Sequence, residues 1–166
     1  MRIHIVTAVV AAVLLSSTVA VLMPIGGMSR TAFAHDDHES FSAGEPGNPK
    51  KPARVVQITM HEGEGAMHFI PNQVEVRKGE QIKFMIRNNG ELEHEFVLAT
   101  EAENLKHAEL MKKYPDMEHD DPNAVRIGPK KTATILWQFT KAGTFKFDCL
   151  IPGHREAGMT GQVVVK

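Results

Sequence analysis

The stretch Asp148-Cys149-Leu150-Ile151-Pro152-Gly153-His154-Arg155-Glu156-Ala157-Gly158-Met159 decides how this chain is read. Phe145, Phe147 and Cys149 share parity, so a strand that turns its aromatics to the core carries Cys149 inward at its end. Pro152-Gly153 makes the next residues a loop, and Gly161-Gln162-Val163-Val164-Val165 begins a returning strand. Upstream, His94, Phe96 and Leu98 also share parity, which points His94 inward at the start of another strand. Two imidazoles, a thiolate and a thioether can therefore converge at one end of a fold built from short strands.

The rest of the chain agrees with such a fold. Val56, Ile58 and Met60 alternate with Val55, Gln57 and Thr59, Ile82, Phe84 and Ile86 with Lys83, Met85 and Arg87, and Ile135, Trp137 and Phe139 with Leu136 and Gln138. Turn residues separate these runs: Gly79, Asn88-Asn89-Gly90, Gly128-Pro129 and Gly143. A period of two broken at such intervals is the pattern of an antiparallel β-sandwich. One segment departs from it. Thr100 to Tyr114 lacks the alternation, is rich in Glu, Lys, Ala and Leu, opens with the capping box Thr100-x-x-Glu103 and is closed by Pro115. It predicts one short inserted helix, docked through Leu110, Met111 and Tyr114. Residues 35–53 are polar and interrupted by Pro46, Pro49 and Pro52, which predicts a flexible N-terminal arm before a domain at 54–166.

The first 34 of the 166 residues look like an export signal: Arg2, an apolar run from Ile5 to Leu22, then the small-residue site Ala32-Phe33-Ala34. The alternative is an uncleaved anchor, since the apolar run is about the minimum for a bilayer span. Cleavage implies a periplasmic protein with no stable membrane insertion. It removes Arg2 and Arg30 and no acid, leaving 17 of the 19 basic side chains against 20 acidic ones, and nothing in that balance points to a nucleic-acid partner, which would want a basic surface. Cys149 is the single cysteine, so no disulfide can form within the chain. A lone thiol in an oxidising compartment is buried and inert, paired between chains, or held by a metal.

The donor set favours the last. Two His and one Cys with a weak axial Met is the arrangement of mononuclear electron-transfer copper sites. Zinc competes, but structural zinc sites use Cys and His without a thioether. Met159 is the least certain donor, because methionine also fills cores and an axial position can be empty or taken by a carbonyl.

The Cys-x₄-His-x₄-Met loop, with an upstream His after an Asn-x-Gly turn, resembles the cupredoxin family of small blue copper proteins, over essentially all of residues 54–166. The stretch Met117-Glu118-His119-Asp120-Asp121-Pro122-Asn123, with His94-Glu95-Phe96, resembles the periplasmic copper-tolerance cupredoxins of the CopI type. The resemblance implies an all-β Greek-key sandwich and one type 1 copper site ligated by His94, Cys149, His154 and Met159. Many cupredoxins place Asn directly after the first ligand His, tying the two ligand loops together. This chain has Glu95 there, a carboxylate that can bias the site towards Cu(II).

Further His and Met residues extend the metal reading: Met60-His61, Met67-His68, His107 with Met111, Met117 with His119, and His35 and His38 on the arm. Each taken singly reads better as core filler or solvated surface; their density points to additional labile copper. The acidic runs Asp36-Asp37 and Glu118 to Asp121 lack calcium-loop spacing and read as surface. Three functions remain in order. The first is copper tolerance by binding, buffering or redox handling, with a copper-transfer partner. The second is a diffusible electron carrier whose redox protein docks near His154 on Leu150, Ile151, Pro152 and Ala157. An enzyme comes last, because oxidases need more copper ligands and usually more domains.

Overall fold

A computed structural model of the chain describes residues 41–114 and 121–166. The expected export segment, His35, His38, Pro115, Met117 and His119 lie outside the described residues. Along the chain run β1 (Glu45–Pro46), β2 (Arg54–Gly63), β3 (Ala66–Ile70), β4 (Gln73–Val76), β5 (Gln81–Asn88), β6 (His94–Ala99), α1 (Glu101–Lys113), β7 (Ala124–Ile127), β8 (Thr132–Gln138), β9 (Gly143–Asp148) and β10 (Thr160–Val165). They form two five-stranded sheets, in the orders β1-β8-β5-β2-β3 and β4-β10-β9-β6-β7. This is the expected Greek-key β-sandwich with one inserted helix. The pairing is not wholly antiparallel, however: β2 runs parallel to β5, and β4 parallel to β10. Alternation reports which face is buried and is the same for either strand direction, so it could not reveal this.

The predicted inward rows form the core. Ile58, Met60, Ile82, Phe84, Ile86, Trp137 and Phe139 are all fully buried. From the second sheet, Phe96 and Phe147 stack at 5.0 Å between ring centroids, and Phe69 meets both edge-on at 5.9 and 5.2 Å. Each such side chain contributes about 1.5–3 kcal/mol on burial, and edge-on pairing adds to that.

All six residues of β6 are buried, which strict alternation would not produce. His94, Phe96 and Leu98 face the core as expected; the other face is covered. There α1 lies over the strand, and Val97, Met111 and Leu150 form a small second apolar cluster. The capping box is present, with the Glu103 N–H donating to the Thr100 hydroxyl and the Thr100 N–H to the Glu103 carboxylate. The helix docks differently from the expectation. Met111 is buried, but Leu110 and Tyr114 are exposed (42% and 61%); Ala108 and the buried Asn104 complete the contact instead.

The arm also departs from its reading. Residues 41–53 are fixed on the first sheet: Phe41 meets the Trp137 ring edge-on at 5.3 Å, and the Trp137 indole N–H donates to the Ala43 carbonyl at 3.1 Å. Gly44, at φ +135°, passes so close to Gln138 that a Cβ there would lie 2.1 Å from its carbonyl oxygen. The buried Gln81 amide holds the following loop, donating to the Asn48 and Lys51 carbonyls at 3.1 Å and accepting from the Asn48 N–H at 2.7 Å. A segment too polar to build a core can still be ordered when a neighbouring strand supplies its hydrogen-bond partners. No helix among the described residues is long and apolar enough to cross a membrane.

Candidate metal centre

Cys149 follows β9, and its loop is a run of tight turns. The His154 N–H donates to the Ile151 carbonyl, the Ala157 N–H to Gly153 and the Gly158 N–H to Arg155, each at 3.0 Å. Two further bonds close the loop: Cys149 N–H to the Met159 carbonyl and Met159 N–H to the His154 carbonyl, both 3.1 Å. Asp148 anchors its two ends. This fully buried carboxylate accepts from the Thr160 hydroxyl, from Arg155 Nε at 3.4 Å and from the Asn104 amide at 3.0 Å. The loop also touches the β2–β3 hairpin, where the Met67 N–H donates to the Ala157 carbonyl at 2.9 Å.

His94 opens β6, opposite Ile127 of β7. The turn before it is held by buried Asn88, whose amide donates to the Leu92 carbonyl at 2.7 Å and the Ile127 carbonyl at 2.9 Å and whose oxygen accepts the Gly90 N–H at 2.8 Å. The structure thus brings three of the four expected donors together. The Nδ1 atoms of His94 and His154 are 3.1 Å apart, Cys149 Sγ lies 3.4 Å from His154 Nδ1, and one ligand atom from each residue falls within 4.8 Å of the others. Met159 is fully buried in the core cluster that contains Cys149, and its backbone bonds both neighbouring donors. His94 and Cys149 are sealed from solvent, while His154 is half-buried.

The electrostatics suit a soft cation. Burial pushes the Cys149 thiol up to about 12, against the pull of the Glu95 backbone N–H, which donates to Sγ at 3.2 Å. Burial also holds His154 below the ordinary imidazole range, with His94 beside it acting in the same direction. A thiol so reluctant to ionise becomes a thiolate when a bound metal displaces its proton. A sulfur and two facing imidazole nitrogens in an apolar shell match the chemistry of copper.

The Glu95 side chain turns away from the donors. It is the direct cross-strand partner of Arg126, whose Nε and Nη2 donate to Oε1 at 3.0 and 2.8 Å. The carboxylate in contact with a donor is Glu62, with Oε1 2.7 Å from His94 Nε2. Sequence reasoning missed it, although Glu62 continues the inward parity of Val56, Ile58 and Met60. Among the accessory residues, His61 and His68 are direct partners across β2 and β3, with His61 Nε2 3.5 Å from the Asn89 amide. Met60 and Met111 are buried, so the pairing of His107 with Met111 offers no accessible thioether.

Sandwich and donor set together define a mononuclear copper protein of cupredoxin type. Residues 56–166 match the copper binding proteins of the plastocyanin/azurin family, and the chain belongs to that family. It is 47% identical over 141 residues to the copper-resistant cuproprotein CopI of Rubrivivax gelatinosus, covering 85% of this chain and 82% of that protein. It is 32% identical to the copper-resistant cuproprotein CopI of Pseudomonas aeruginosa, over 74% of this chain and 82% of that one. The structure of auracyanin B superposes with a TM-score of 0.61 at 19% identity, over 75% of this chain and 96% of that one, a likeness of fold alone.

Proposed function

We propose that this protein handles copper in copper tolerance, holding one ion through His94, Cys149, His154 and Met159 after export to the periplasm and removal of residues 1–34. The observation that carries the reading is the convergence of one ligand atom each from His94, Cys149 and His154 within 4.8 Å. Bound copper supplies one-electron chemistry between Cu(I) and Cu(II). The chain's own residues hold the donors in place before metal arrives: Asp148 ties the ends of the Cys149 loop, and Asn88 fixes the turn before His94. Phe96 and Phe147 belong to the same buried core cluster as Cys149, whose side chain is sealed from solvent. His154 alone of the three grouped donors reaches solvent, which gives a transfer or redox partner its point of approach.

Tolerance ranks ahead of electron transport because the cross-strand pair His61 and His68 offers further donors on the outer face, and because the relatives above carry copper resistance in their names. A binding role is preferred to an enzymatic one because the chain has a single cysteine, whereas a dinuclear copper centre of the oxidase type needs two.

The test is copper bound per chain by equilibrium dialysis, with Cu(I) and with Cu(II). One ion lost in Cys149→Ala, plus a weaker one lost in His61→Ala/His68→Ala, is expected. A single ion with His61 and His68 idle favours the electron carrier. No copper, or copper retained by Cys149→Ala with its visible absorption intact, overturns the ligand set. Mass spectrometry of the periplasmic protein should find an N-terminus at His35.

A further inference from the structure

On the reading that His94 is a copper ligand, we propose that Glu62 is a positioning residue of the centre: its carboxylate fixes the Nε2–H tautomer of His94 and biases the site towards Cu(II). Glu62 lies at the far end of β2, on the hairpin that also bonds the Cys149 loop through Met67 and Ala157. Its Oε1 stands 2.7 Å from His94 Nε2 and accepts the Leu92 N–H at 2.9 Å. An ionised carboxylate can only accept, so the proton of this contact sits on Nε2. The other nitrogen, Nδ1, then presents a bare lone pair towards His154 Nδ1 and Cys149. A ligand imidazole is commonly oriented in this way by whatever its other nitrogen bonds.

The surroundings call on Glu62 as an acceptor, since the Leu92 N–H donates to the same Oε1 that meets His94. The turn is shaped around it. A Cβ on Gly90 would lie 2.0 Å from Glu62 Oε1 and 2.7 Å from Cδ, so Asn88-Asn89-Gly90 closes over the carboxylate only with glycine in third place. Asn88 locks that turn by accepting the Gly90 N–H. The charge is also left to act on the site. Glu95, next to His94 in sequence, is answered by Arg126, whereas the Glu62 carboxylate meets the His94 imidazole itself. A backbone carbonyl would set the same tautomer; a carboxylate adds a negative charge one imidazole away, which favours the more highly charged ion.

Three variants test this on the intact chain. Glu62→Gln keeps an acceptor oxygen for both bonds and removes the charge. It should favour Cu(I) over Cu(II) about tenfold relative to the parent, a rise of about 59 mV in a one-electron redox titration. Glu62→Ala removes the acceptor as well. It should mix the His94 tautomers, read by nitrogen NMR of the metal-free protein, and weaken copper binding about 10–100-fold. Gly90→Ala should push the carboxylate off His94 without altering it and reproduce the direction of the Glu62→Ala effects. A parental potential in Glu62→Gln, or an unmixed Nε2–H tautomer in Glu62→Ala, overturns the proposal while the ligand set stands. Parental copper absorption in His94→Ala overturns the ligand reading and this proposal with it.

Discussion

Arg126→Ala should destabilise the metal-free protein more than any ordinary surface change. Arg126 and Glu95 face each other across β6 and β7, and the Glu95 side chain is 7% exposed against 28% for Arg126. One carboxylate oxygen, Oε1, takes both guanidinium bonds; the other, Oε2, is buried with no hydrogen-bond partner. Removing Arg126 strands a charge beneath the sandwich surface, in the residue whose N–H holds Cys149 Sγ. Breaking a buried pair costs about 3–5 kcal/mol. Arg126 reaches solvent and also stands 3.6 Å from Glu93, so water screens part of the interaction and about 2–3 kcal/mol is expected. For a domain of this size that is a fall in Tm of roughly 8–12 °C. Urea unfolding should show a lower midpoint at unchanged slope. Glu95→Gln/Arg126→Met, which removes both charges, should recover most of the loss. A single variant within about 0.5 kcal/mol of the parent, the usual range of neutral surface changes, would refute the reasoning. So would a double variant no more stable than Arg126→Ala.

Gln81→Ala removes the amide that holds residues 48–51 against the sheet. It should cost about 1–2 kcal/mol, because part-buried hydrogen bonds are lost, and hydrogen exchange at Asn48 should accelerate; unchanged protection there would show that the arm is held by other contacts. Glu80 gives a pH signature. The Arg54 side chain lowers its carboxyl against the opposing effect of burial, with help from the Arg77 N–H. A depressed folded-state value means that the contribution is complete above the unfolded range and disappears as pH falls through the folded one. The stability gap between the parent and Glu80→Gln should therefore be constant above about pH 5 and close progressively below about pH 4. A gap as wide at pH 3 as at pH 7 would contradict that assignment.

Much of this was legible in the sequence because burial writes itself as parity. Phe145 and Phe147 on β9 with Cys149 just after it, and His94, Phe96 and Leu98 on β6, are buried as their spacing indicates. The helix was legible from Thr100 and Glu103, since a capping box is local chemistry. What stayed hidden depends on contacts between distant segments. The order of residues 41–53 rests on Gln81 and Trp137, well beyond the segment's own composition. Parallel pairing of β2 with β5 leaves no trace in alternation. The fate of Glu95 was set by Arg126, 31 residues on, which turned the carboxylate beside the ligand into half of a structural pair.

The site itself follows from how the inward rows end. Val56-Ile58-Met60 of β2 leads to Glu62, Ile82-Phe84-Ile86 of β5 to Asn88, Leu98-Phe96 of β6 to His94, and Phe145-Phe147 of β9 to Cys149. Each row turns from apolar to polar, and hydrogen bonds among the terminal residues and their turns bring those ends together. Inward polar groups are costly unless partnered, so this end must satisfy itself. Most of it does: Glu62 meets His94 Nε2 and the Leu92 N–H, Asn88 meets two carbonyls and the Gly90 N–H, and Sγ meets the Glu95 N–H. The two Nδ1 atoms are the exception, since they face each other and the sulfur. A protein that partners most polar atoms at the end of its core, and leaves two imidazole nitrogens and a thiol turned on one another, has built that end around a cation.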